Sequence, residues 1–188
     1  MNEKRNKLTS LILTIFWVLS LILVMISCVK ENVPYVVYTV KAGDHYSNHR
    51  KLTFVEKDEL TFSFWVNTTW WWEPGYSLSK VYGICWGSPE ENSVRLAVRG
   101  TEKGPVLYMM CHVDGSDPIT RKIDTVSNGL YNCKLGYKDN KYWLKFDTTT
   151  YYVDAPNDLG LGLLCHPYIG GEYVLDYDWT VKIINLWE

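Results

Sequence analysis

Leu60-Thr-Phe-Ser-Phe-Trp-Val-Asn-Thr-Thr-Trp-Trp-Trp-Glu-Pro-Gly75 is the stretch on which the reading of this 188-residue chain turns. Its first half sets Leu60, Phe62, Phe64 and Val66 against Thr61, Ser63, Trp65 and Asn67, the period of two by which a strand buries one face. Its second half places Trp70, Trp71 and Trp72 side by side just before the turn signal Pro74-Gly75. Successive strand side chains point to opposite faces, so three adjacent indoles cannot all reach one core. At least one is expected at the surface.

Working outward, the same period recurs in short runs bounded by turn residues. Residues 35–41 are rich in β-branched and aromatic side chains and end at Gly43-Asp44, after which His45-Tyr46-Ser47-Asn48-His49-Arg50 reads as a polar loop. Further strands are expected at 80–86, 93–99, 106–113, 121–126, 131–138, 141–146, 149–153, 161–166 and 180–186. In 93–99, Val94, Leu96 and Val98 make an apolar face opposite Arg95 and Arg99, and in 106–113 both faces carry large side chains. Asp139-Asn140 tolerates positive φ and marks a tight hairpin. Roughly ten or eleven strands, with no amphipathic helix after residue 30, predict an all-β, two-sheet antiparallel sandwich of jelly-roll-like form.

The 15% aromatic content, with 9 Trp and 14 Tyr, agrees with strands rather than helices. Residues 1–27 are expected to be a signal peptide or membrane anchor, 28–34 a tether and 35–188 the sandwich domain. The first seven residues carry net positive charge, and Leu8 to Ser27 hold no charged side chain, forming an apolar helix of about the ~20 residues that span a bilayer. Positive flanks stay in the cytoplasm, so the domain is expected outside it, anchored at the membrane. Without residues 1–27 the chain bears 16 basic and 20 acidic side chains and no basic patch, which argues against nucleic acid as a partner.

Met25-Ile26-Ser27-Cys28 resembles the lipobox of bacterial lipoproteins, with Met25 where that motif usually has Leu. The resemblance implies lipidation at Cys28 and a bilayer partner held through Cys28 or the Leu8 to Ser27 segment. Four further strings, Gly43-x-His45-Tyr46-Ser47, Lys80-x-Tyr82-Gly83 with Gly87, Asn92-Ser93-x-Arg95 and Pro167-Tyr168-x-Gly170-Gly171, resemble a family of uncharacterised bacterial envelope proteins, many of them lipoproteins. That resemblance covers most of residues 39–185 and implies a secreted, jelly-roll-like β-sandwich with no catalytic residue to carry over.

The sharpest functional signal is the tryptophan run. Indole faces stack on sugar rings, so Trp70, Trp71, Trp72 and Tyr76 are read as a platform for carbohydrate, with Asn92, Arg95 or His45 as polar partners. The competing reading caps the sandwich end with these indoles, and a third sets them at lipid headgroups. An alternative function is a polysaccharide lyase or hydrolase using His45 or Tyr46, and another is a structural or protein-interaction subunit of an envelope complex. Tyr38 to Tyr46 resembles a lyase string, but it lies at the wrong end of the chain and the companion strings are absent. Cys85, Cys111, Cys133 and Cys165 leave three disulfide pairings open, while Cys111 and Cys133 fall on apolar faces as core thiols would. Neither a metal nor a cofactor is expected.

Overall fold

The computed structural model describes residues 34–71, 78–171 and 173–186. The apolar segment expected to be helical, Cys28 and most of the tether lie outside the described residues, and Tyr35–Glu188 form a compact unit of their own.

Twelve strands are described: β1 (Val36–Val40), β2 (Phe54–Val55), β3 (Glu59–Val66), β4 (Ser79–Trp86), β5 (Asn92–Arg99), β6 (Val106–His112), β7 (Ile119–Thr125), β8 (Gly129–Lys138), β9 (Lys141–Phe146), β10 (Thr149–Asp154), β11 (Gly162–Cys165) and β12 (Trp179–Asn185). They pair antiparallel into two six-stranded sheets, one in the order β1-β12-β3-β8-β9-β10 and the other β2-β11-β4-β5-β6-β7. The chain changes sheet between β1 and β2, β2 and β3, β3 and β4, β7 and β8, β10 and β11, and β11 and β12. Neighbours in a sheet are therefore often remote in sequence. The result is a jelly-roll-like sandwich.

The period of two in β3 dictates its place. Leu60, Phe62, Phe64 and Val66 are wholly buried, while Trp65 is exposed. From the facing sheet, Tyr82, Ile84, Trp86, Val94, Leu96 and Val98 meet them in one core. Phe62 and Tyr82 touch edge to face across the layers with centroids 5.1 Å apart. Polar tips that enter the core find partners, as Tyr82 donates to Asn185 Oδ1 at 3.1 Å and Trp86 Nε1 to Asp58 Oδ1 at 3.0 Å.

Asp139 and Asn140, with φ of 52° and 56°, close the β8–β9 hairpin with the backbone their side chains tolerate. Beyond β3 a short 3₁₀ turn (Thr68–Trp70) is capped by Asn67, whose Oδ1 accepts from the Thr69 amide at 2.8 Å. This turn rotates Trp70 into the core, where it is completely buried. That overturns its place in a sugar platform: an indole with no accessible face cannot stack on a ring. Trp71 is 41% exposed and donates from Nε1 to Asn128 Oδ1 at 3.1 Å. Trp72 and Tyr76 lie outside the described residues.

Candidate ligand-binding groove

In the sheet that contains β4 and β5, the side chains alternate between the core and an outer face. On that outer face lies a groove of about 820 Å³, within the range of roughly 300–1,000 Å³ typical of small-ligand sites. Its floor is built by β4, β5, β6 and β11 through Cys85, Arg95, Met110 and Cys165, and its walls carry Tyr46, Tyr168, Arg50, Lys51, Lys80, Arg99 and Glu90.

Strand register explains why Arg95 can lie there. Arg95 sits directly opposite Gly83 on β4, and a Cβ at Gly83 would stand 2.6 Å from Arg95 Cγ. Glycine leaves the space that the arginine stem crosses. The arginine is then 5% exposed, with Nη2 donating to the Pro89 carbonyl at 3.1 Å and Nε left without an acceptor.

The aromatic wall is assembled from two distant loops. Asp44 Oδ1 accepts from the amides of His45 at 2.6 Å and Tyr46 at 3.1 Å, fixing the turn that presents Tyr46. These two amide bonds, Tyr46 first, hold the Asp44 carboxyl below its ordinary range. Tyr168 bridges both Tyr46 and Lys80 in antiparallel fashion, and its amide and carbonyl bond the Lys80 backbone at 2.8 and 2.7 Å. The Tyr46 and Tyr168 rings meet at right angles, 5.1 Å apart. His45 stacks on Tyr168 at 5.1 Å and its Nδ1 donates to the Ile169 carbonyl at 2.8 Å, so it supports the wall without lining the groove. The Arg50 guanidinium lies 4.6 Å from the Tyr46 ring centre and Lys80 Nζ 5.1 Å from that of Tyr168.

All four strings quoted for the envelope-family resemblance meet here: Tyr46, Lys80 with Gly83, Arg95, and Tyr168 are one surface. Of the expected polar partners, Arg95 lines the groove and His45 stands behind it. Asn92 does neither, because its buried Oδ1 accepts from the Asp114 amide at 3.0 Å and the Tyr142 hydroxyl at 3.3 Å. This corrects its reading as a ligand contact. Tyr168, Arg50 and Lys80 were missed as site residues, since only the pairing of remote strands and loops brings them together.

The field in the groove is positive. His166, on the wall, and His112, beside Arg95 on the same face, are both held below the ordinary histidine range, by burial first. Arg95 adds to the effect at His112, and His49 and Arg50 at His166. His166 Nε2 donates to the Lys51 carbonyl at 2.8 Å and Nδ1 is buried without a donor, the arrangement of a neutral ring. The four described cysteines are free. Cys111 and Cys133 are core thiols pushed up by burial, as their apolar positions imply. Cys85 and Cys165 lie diagonally across β4 and β11, and hydrogen bonding between them lowers Cys85 and raises Cys165. Among the described residues, no three of His, Cys, Asp and Glu gather as metal ligands would.

Solved structures share this architecture. A laminarinase from Flavobacterium sp. UMI-01 is similar with a TM-score of 0.52 at 16% identity, over 82% of this chain and 78% of that one. A glycoside hydrolase family 16 endo-glucanase from Bacteroides ovatus gives 0.52 at 11%, over 82% and 80%. The likeness is one of fold. No protein-family model matches the sequence, and no curated protein matches it.

Chemically, the groove can stack a ring against Tyr46 or Tyr168 and hold negative charge at Arg95. Glycoside hydrolysis by the usual route needs two carboxyl groups roughly 5–9.5 Å apart across the scissile bond. Glu90 is the one carboxylate among the described residues that line the groove.

Proposed function

We propose that this chain is an exported, lipid-anchored protein of the bacterial cell envelope that binds carbohydrate in the groove over β4, β5 and β11. The observation that carries the reading is the convergence of two tyrosine rings and a buried guanidinium in one groove, on a fold shared with glucan-cleaving enzymes. The tyrosines supply apolar ring faces and the cations supply donors to sugar oxygens. Glycan binding by the full chain in detergent, screened over neutral and acidic polysaccharides, tests it. Tyr46, 49% exposed, can be truncated with little effect on folding. Tyr46→Ala is expected to weaken binding about tenfold, the equivalent of ~1.4 kcal/mol. Retained affinity in the folded variant, or no glycan bound by the parent chain, rejects the groove as a sugar site.

A second reading, glycan cleavage, is favoured by the laminarinase and endo-glucanase among the structural neighbours. Glu90 and Tyr46 are among the groups in the groove able to move a proton. Release of reducing ends, abolished in Glu90→Gln, would establish hydrolysis. A rise in unsaturated-sugar absorbance, abolished in Tyr46→Phe, would establish elimination. Binding without either product leaves the binding role.

The anchor has its own test. Cys28→Ala is expected to abolish lipid incorporation, lower the apparent mass shift of processing and release the protein from membranes to the degree that the apolar segment is normally removed. Unchanged mass and membrane association would reject lipidation and leave Leu8 to Ser27 as a retained span.

A further inference from the structure

We propose that the groove selects acidic glycans, with an oxyanion substituent of the sugar, a uronate carboxylate or a sulfate ester, held by Arg95. This deepens the carbohydrate reading and rests on it.

Arg95 is placed where a cation without an anion is unfavourable. Only 5% of the residue is exposed, yet no ion pair joins it to a carboxylate among the described residues. Guanidinium has five N–H donors in a planar fork. The Pro89 carbonyl accepts from Nη2, and the Nε–H is buried with nothing to receive it. A buried, half-satisfied charge is costly to the fold unless a further partner completes it. Because the side chain lines the groove, that partner can be a ligand.

The surroundings agree in sign. Arg50, Lys51, Lys80 and Arg99 also line the groove, against the single carboxylate of Glu90 among the described residues. The domain as a whole is acidic, with 20 acidic and 16 basic side chains after residue 27. The described lining is therefore locally positive within a domain of negative net charge, which is how such a protein attracts and orients an anion. An arginine fork matches the two oxygens of a carboxylate or sulfate by paired N–H bonds, while Tyr46 and Tyr168 meet the sugar that carries them.

The experiment measures binding of the full chain in detergent to four probes: polygalacturonate, dextran sulfate, laminarin and dextran. Binding to polygalacturonate, to dextran sulfate or to both is expected, at least ~10-fold tighter than to either neutral polymer and weakening with added salt. Polygalacturonate alone identifies the carboxylate, and dextran sulfate alone the sulfate. Arg95→Met, which keeps the stem and removes the charge, is expected to weaken acidic binding at least ~30-fold, and Arg95→Lys, which keeps the charge but not the fork, by ~10-fold. A second measurement separates ligand contact from structural role. If Arg95 waits for a ligand, the unliganded Arg95→Met protein unfolds at the same or higher denaturant concentration than the parent. Tight binding of a neutral polymer, or acidic binding untouched by Arg95→Met, overturns the acidic assignment and leaves the carbohydrate reading standing. Binding to none of the four overturns both.

Discussion

Trp70→Ala is expected to lower the unfolding free energy by about 3–5 kcal/mol, the cost of removing a fully buried large aromatic. The indole is wholly inaccessible and stacked on Phe64, with centroids 5.8 Å apart and planes 12° from parallel. Trp179, also fully buried, has its ring centre 5.1 Å from that of Trp70. Its Nε1 donates to the Thr180 carbonyl at 2.9 Å. Alanine would open a cavity between β3 and β12 that the surrounding aromatics cannot collapse to fill. The 3₁₀ turn would remain tethered, because Asn67 Nδ2 also bonds the Thr180 carbonyl at 2.9 Å and Thr69 Oγ1 accepts from the Thr180 amide at 3.1 Å. The loss is therefore one of packing. Against a domain stability of roughly 5–15 kcal/mol, it would shift the urea midpoint severely. Trp71→Ala provides the contrast. With Trp71 41% exposed, a change below ~1 kcal/mol is expected there, as for most surface substitutions. Equal effects of the two substitutions would refute the assignment of Trp70 to the core and Trp71 to the surface.

That pair also shows how far the residues alone could carry the reading. Adjacency forbids three indoles from sharing one face, and the chain obeys by burying Trp70 and exposing Trp71. Which one turns inward depends on the cap at Asn67 and its partner strand β12, more than a hundred positions away. Strands with a clear period of two, such as β3 and β5, could be placed within a residue or so from local pattern. Phe54–Val55 could not, since two residues carry no period; β2 exists only because β11 pairs with it.

The groove was less legible for the same reason. Its parts are written in four short strings, but what joins them is register: Gly83 opposite Arg95, Tyr46 and Lys80 bridged to Tyr168, Cys85 diagonal to Cys165. One local signal was present. A strand with Val94, Leu96 and Val98 on one face and Arg95 and Arg99 on the other presents charge from the middle of a sheet, where a neighbouring strand must make room for it. The tryptophan run is the louder signal but a less specific one, because nine tryptophans in a sandwich have to be buried somewhere. Leu78, where the described chain resumes after that run, lines the groove.

The residue that makes room is Gly83, and its replacement is expected to damage fold and site together. Its backbone φ is an ordinary one, so the constraint there is space and not conformation. A Cβ at this position would overlap the Val94 carbonyl oxygen and stand 2.6 Å from Arg95 Cγ and 2.7 Å from Arg95 Cα. Two of these atoms are backbone and cannot swing aside, so β4 and β5 must part or the arginine stem must leave the floor. Overpacking of this kind costs about 1–3 kcal/mol, and more where backbone must move. Gly83→Ala should therefore unfold at lower urea and, in the fraction still folded, bind glycan as poorly as Arg95→Met. Gly129, at the start of β8, is the control. It too has no positive φ, and its added Cβ would make ordinary contact with the Tyr131 ring at 3.6 Å. Gly129→Ala is expected to be neutral or to stabilise by about 0.4–1 kcal/mol through the unfolded chain. If Gly83→Ala matches the Gly129→Ala protein in both urea midpoint and glycan affinity, Gly83 does not face Arg95 across β4 and β5. The buried arginine would then need another explanation for its place in the groove.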